Sequence, residues 1–322
     1  MRRALGRVVL SAVLCWLTTS SAFAGDRFAL IVTGASGGPE YAKKYQAWRE
    51  SFLATLKEKF GYPDDHLKVL SEEGDGAAKA TAANVRAAFT DLRRRVVEGD
   101  VTLVLLIGHG TADSDEAKFN LVGPDLTVDE WAGLVKPLPG RVAFVNASSG
   151  SFPFMAALAG KGRVVLTAND SAAQQFETVF PGFFIRAFAE DAADRDKNGK
   201  VSLLEAFAYA SAQVKDSFEQ KGQLATERAL LDDTGAGIGR DLDTPGKDGQ
   251  LAQITYLQPD VPPDMAGNPE RANLMRRRAE VEDRLSLLKS NKETMPADRY
   301  EEELERLLLE LARIDRQLRA KT

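Results

Sequence analysis

Cysteine is all but missing from this chain: the single one, Cys15, falls within the opening "MRRALGRVVLSAVLCWLTTSSAFA". That segment carries Arg2, Arg3 and Arg7, then an apolar run, then Ala22-Phe23-Ala24, the layout of a secretory signal (residues 1–24) with small residues at the cut. The expected location is periplasmic or extracellular after cleavage near Ala24. A chain beginning at Gly25 has no thiol, which excludes disulfides, zinc–cysteine sites and a cysteine nucleophile. Long hydrophobic runs are lacking too. The apolar stretch 8–17 is far shorter than the roughly 20 residues a bilayer requires, and no later stretch is long enough, so no membrane span is expected in the mature chain. A basic surplus is also missing. Removing the three signal arginines takes the formal charge from -5 to -8, which makes nucleic acid a poor partner.

What is present is a rhythm of strand and helix. "RFALIVTG" (27–34), "HLKVL" (66–70), "VTLVLLIG" (101–108), "RVAFVN" (141–146) and "RVVLTAND" (163–170) are apolar runs ending in small or polar residues, as buried strands do. Between them lie helical stripes. Tyr41, Tyr45, Trp48, Phe52, Leu53 and Leu56 form one, closed by Gly61; Val85, Phe89, Leu92 and Val96 form another, with Thr81 as its N-cap. This alternation predicts an α/β fold with a mostly parallel sheet flanked by helices. Functional groups in such sheets gather beyond the carboxyl ends of the strands, here at Gly34, His109-Gly110, 146–148 and Asn169-Asp170.

"LLIGHGT" followed by "VAFVNASSGSF" resembles the caspase/legumain-like cysteine peptidase superfamily over roughly residues 27–218. The resemblance implies that His109 is the family's general base. Aligned on Ser149-Gly150, Ala147 stands at the cysteine position; with a loop one residue shorter, Ser148 falls there. Neither alignment supplies a thiol. A thiol is partly ionised near neutral pH and tolerates a loosely placed histidine, whereas a serine hydroxyl needs a base in direct hydrogen-bond contact. Two readings follow: a degenerate, non-catalytic homologue acting as a binding or scaffold protein, or a hydrolase in which His109 activates Ser148 or a neighbour. "NASSGS" lacks the Gly-x-Ser-x-Gly elbow of α/β hydrolases, which favours the first. In family members with legumain-like activity, early-loop and later acids line the pocket beside the cut; Glu40, Asp170 and Glu177 are the matching acids, with solvated loop acids as the default. The other histidine, His66, reads as a surface residue.

A second motif is sharper. "DRDKNGKVSLLE" (194–205) fits the twelve-residue EF-hand loop at every diagnostic position. Asp194, Asp196 and Asn198 offer side-chain oxygens, Gly199 allows the bend, Lys200 offers its main-chain carbonyl, Ser202 can hold a water and Glu205 closes the shell. Helical patterns flank the loop, so calcium is the expected cofactor, with a stabilising role. A later acidic loop from Asp232 has too few oxygens for a second site.

The expected domains are an α/β unit over 25–255, a Pro-rich connector over 256–270 and a helical hairpin or short coiled coil over 271–322. Its stripes are Leu274, Val281, Leu285 and Leu288, then Leu304, Leu307, Leu308, Leu311, Ile314 and Leu318, with Pro296 at the break. The hairpin either packs back on the domain or serves self-association or a protein partner.

Overall fold

The computed structural model describes residues 25–320 apart from 113–115, 245, 263–264 and 266. The expected signal segment, with Cys15, lies outside the described residues. The central sheet runs β2 (Leu67–Leu70), β1 (Arg27–Thr33), β3 (Val101–Ile107), β7 (Arg141–Asn146), β8 (Arg163–Thr167) and β9 (Leu230–Asp232). All neighbours are parallel except β9, which pairs antiparallel with β8. The expectation of a mostly parallel sheet flanked by helices, followed by a helix pair, holds.

Alternation along the strands sends successive side chains to opposite faces. Ala29, Ile31, Leu105 and Val145 pack against α1 (Pro39–Ala54), α5 (Phe180–Ala189) and α6 (Leu203–Gln220) through Tyr45, Phe52, Phe184, Phe188 and Phe207. Leu30, Val32, Val104 and Phe144 meet α2 (Ala82–Arg95), α3 (Val128–Val135) and α4 (Phe154–Leu158) through Val85, Phe89, Trp131 and Phe154. Each such side chain fully withdrawn from water contributes about 1.5–3 kcal/mol. Both faces being covered explains why β1 and β3 read as unbroken apolar runs. Thr81 caps α2 by accepting from the Asn84 N–H at 3.3 Å.

Between β3 and α3 sits a small antiparallel sheet of β4 (Gly110–Ala112), β5 (Ala117–Phe119) and β6 (Leu126–Thr127). These strands and β9 span two or three residues each, too few to show a period in the sequence. His66, read as a surface residue, is half-buried: it stacks on Phe28 with ring centroids 4.3 Å apart, and its Nδ1 lies 3.0 Å from the Arg27 carbonyl.

The connector is not free either. Tyr256 bridges to Ser202, and Asp260 is ion-paired with Arg27 at 2.9 Å and Lys200 at 3.3 Å, so its first part is pinned to the domain. After it, α8 (Pro269–Ser290) and α9 (Ala297–Ala320) form the hairpin. Val281, Leu285 and Leu288 pack on Leu307 and Ile314. Leu308, expected in the stripe, is 47% exposed, because it lies one residue, about 100°, from the Leu307 seam. The Gln253 amide, at the end of α7 (Gln250–Gln253), donates to Ser286 Oγ at 2.9 Å and ties α8 to the domain. Among the described residues no helix is long and apolar enough to cross a membrane.

Candidate functional site

Strands β3 and β7 are neighbours, and their carboxyl ends bring His109 and residues 146–151 to one edge of the sheet. The turn after His109 needs glycine: a Cβ on Gly110 would stand 2.4 Å from the Ser149 carbonyl oxygen. Ser149 completes this contact, its hydroxyl donating to the Gly110 carbonyl at 3.1 Å and accepting from the Gly110 N–H at 3.2 Å.

His109 is half-buried. Its Nε2 lies 3.1 Å from the Tyr45 hydroxyl, and its ring meets Tyr41 edge-on at 4.9 Å. Burial, with Glu177 and Tyr41 adding to it, raises the Tyr45 phenol above its ordinary range, so this hydroxyl stays protonated. Strand alternation places Ala147 on the same face: it belongs to the buried cluster that holds Tyr45, Ile107 and Ala168. Ala147 is fully buried and inert, and its carbonyl accepts the Thr178 hydroxyl at 2.5 Å.

Ser148, one residue on, does not meet His109. Its buried hydroxyl lies 2.6 Å from Asn146 Oδ1 and 3.1 Å from the Ser149 carbonyl, so the pairing considered from sequence is not formed among the described residues. Alternation explains this, since side chains at 147 and 148 cannot both leave the strand end toward Tyr45. Ser151 is held by Asn169 and the Ala168 N–H. The Asn146 side-chain N–H is buried without a partner among the described residues.

A loop over 170–179 covers this edge. Its contacts are Gly150 N–H to the Gln174 carbonyl at 3.0 Å, the Gln175 amide to the Ala112 carbonyl at 3.0 Å, and Lys44 to Glu177 at 2.6 Å. Glu227 clasps its far end, accepting the N–H groups of Val179 and Phe180, each at 2.8 Å. Burial pushes the Glu227 carboxyl up to about 7. Glu227 escaped the sequence reading because it stands in an irregular stretch with no motif around it. Of the other acids considered, Asp170 lies 3.7 Å from Arg228 and Glu40 is exposed.

Below the sheet, 194–205 joins α5 to α6. Lys197 and Gly199 take positive φ, 56° and 87°, which wraps the chain around its acids. Oxygens of Asp194, Asp196 and Glu205 lie within 4.8 Å of one another. Burial, Glu205 and Asp194 together raise the Asp196 carboxyl. Main-chain N–H groups hold the acids: Gly199 donates to Asp194 at 2.9 Å, Asn198 to Asp194 and Asp196 at 3.1 Å each, and Arg195 to Glu205 at 3.0 Å. Glu205 also forms a capping box with Ser202. Asn198 Oδ1 accepts from the Lys200 N–H at 2.8 Å. Three carboxylates, Asp194 and Glu205 half-buried and Asp196 exposed, converge as a donor set of hard oxygens suited to calcium. Residue 202 pairs with Tyr256, and the Leu203 N–H donates to the Thr255 carbonyl at 2.9 Å.

No family model matches the chain. It is similar to two Arabidopsis thaliana proteins. Metacaspase-6 is 29% identical over 96 residues, covering 26% of this chain and 26% of that protein. Metacaspase-4 is 30% identical over 95 residues, covering 26% and 23%. The chain thus spans about a quarter of the length of these curated relatives. Among solved structures it is similar to protein GSU0716 from Geobacter sulfurreducens, with TM-score 0.43 and 16% identity over 64% of this chain and 92% of that one. It is also similar to the Drosophila initiator caspase Dronc, with TM-score 0.45 and 9% identity over 68% and 83%.

Proposed function

We propose that this protein is an exported, calcium-stabilised relative of the caspase-like peptidases that has lost thiol catalysis and works as a binding or scaffold protein. The similarity to metacaspases supports the ancestry. One observation carries the loss of activity: the side chain on His109's face of the strand end is Ala147, buried and without a nucleophilic atom. His109 Nε2 engages Tyr45, and the neighbouring serines are tied to Asn146, Gly110 and Asn169. A base with no nucleophile in contact cannot start acyl transfer.

Calcium would be held by Asp194, Asp196, Asn198 and Glu205 with the Lys200 carbonyl, and it would supply the positive charge those acids lack. The hairpin, whose α9 exposes Leu308 and Leu309, would serve self-association or a partner protein. The test is incubation with a broad peptide library in calcium, read by mass spectrometry beside His109→Ala. The two proteins should give the same product profile; cleavage by the wild type that vanishes in the variant would establish a hydrolase and overturn this reading.

A further inference from the structure

The 194–205 loop is joined to the C-terminal hairpin through a continuous set of contacts. We propose that calcium in this loop tightens the seating of the hairpin on the α/β domain, and that the seated hairpin strengthens calcium binding; the proposal rests on the calcium reading above.

Several contacts run from the loop to residues 255–260. The Lys200 ammonium reaches Asp260 at 3.3 Å and lies 5.3 Å from the Tyr256 ring centre. The Asn198 amide reaches the Tyr256 hydroxyl at 3.4 Å, and residues 202–203 pair with 255–256. These partners belong to the short stretch 254–260, which has the domain on one side and α8 on the other. Toward the domain, Arg27 donates to the Tyr256 carbonyl at 3.1 Å and pairs with Asp260 at 2.9 Å, while Arg141 bonds the Ile254 carbonyl and Thr255. Toward the hairpin, Gln253, the last residue of α7 and the one just before this stretch, bonds Ser286 and Ser290. Glu282 and Lys289 of α8 also lie within electrostatic reach of Asp196.

The coupling has a physical cause. Lys200 and Ser202 occupy EF-hand positions that serve the ion, and the same two residues hold Asp260 and Tyr256. A loop drawn tight by calcium therefore presents a fixed Lys200 and a fixed strand edge to 254–260. Without the ion, the repulsion among Asp194, Asp196 and Glu205 loosens both. The two equilibria are linked, so each must shift the other by the same factor.

The experiment uses the chain without its signal segment, free of calcium and then with calcium at ten times its dissociation constant. Calorimetry reads binding and hydrogen exchange reads the amides of 254–260 and 269–290. The expected result is calcium binding together with about tenfold slower exchange in those segments. Lys200→Met keeps its main-chain carbonyl, and Asp260→Asn leaves the loop intact. Both should still bind calcium, more weakly, and lose the slowing. Binding with unchanged exchange over 269–290 in the wild type would overturn the coupling while leaving the calcium site standing. No binding in the wild type would overturn the calcium reading itself, and slowing that survives in both variants would overturn this route.

Discussion

The Tyr45 hydroxyl stands 3.1 Å from His109 Nε2, so that ring nitrogen is engaged by a phenol from α1. Tyr45 is itself only 1% exposed, which makes this contact part of the fold. Tyr45→Phe removes the hydroxyl and leaves the ring packed. The expected cost is about 1 kcal/mol, the net worth of one such hydrogen bond, read as a lower melting temperature of about 2 °C. A loss well above that would show that the hydroxyl organises more than His109.

Ala147→Cys tests the covering of the strand end. Because Cys15 is the one cysteine of the sequence and precedes Gly25, the new thiol would be the only one in a chain that begins at Gly25. Ala147 is fully buried among Tyr45, Ile107 and Ala168, with Thr178 bonded to its carbonyl. Burial in apolar surroundings raises a thiol's pKa and bars reagents, so alkylation by iodoacetamide should run at least about tenfold slower than for a free thiol. Labelling at the free rate would mean that the 170–179 loop does not shield the site.

The alternation of strands and helices was legible because β1, β3 and β7 are long and apolar on both faces, and α1 and α2 carry clean stripes. The convergence of Asp194, Asp196 and Glu205 was legible because these acids stand in one contiguous stretch and the loop itself sets their spacing. What the sequence could not show were relations between distant segments. Tyr45 and His109 are 64 positions apart, and Glu227 meets Val179 across 48. The choice between Ala147 and Ser148 also needed the fold, since it depends on which face of β7 looks toward α1. The prolines of the connector likewise carry no sign that Asp260 is fixed by Arg27 and Lys200 from elsewhere in the chain.

Calcium removal should lower stability. An ion that binds the folded loop and not the unfolded chain stabilises by about 1.4 kcal/mol at ten times its dissociation constant. Melting in chelator should therefore fall by about 2–4 °C. Glu205→Gln should remove the difference between chelator and calcium. In chelator the substitution should itself cost about 1 kcal/mol, because the one amide oxygen can keep either the Arg195 or the Ser202 N–H, which bond different carboxylate oxygens of Glu205. An identical melting curve with and without calcium in the wild type would count against a stabilising ion.

Glu227 provides a pH signature of the clasp over the site. Burial pushes its folded carboxyl up to about 7 from 4.5, while the N–H groups of Val179 and Phe180 pull the other way without prevailing. A folded state that holds the proton more tightly than the unfolded chain gains stability at low pH. That gain is fully present below about 4.5, the unfolded value, and is lost as pH rises through about 7. Glu227→Gln keeps an oxygen for one N–H bond and cannot ionise, so it removes this dependence. The stability of the wild type relative to the variant should fall by about 3 kcal/mol as the pH rises from 4.5 to above 7, following 1.36 kcal/mol per pKa unit. Urea unfolding of both proteins across that range measures the difference directly. A flat difference would mean that the two N–H bonds hold Glu227 ionised at its ordinary value, and that the α5 end of the covering loop is fastened by a carboxylate throughout.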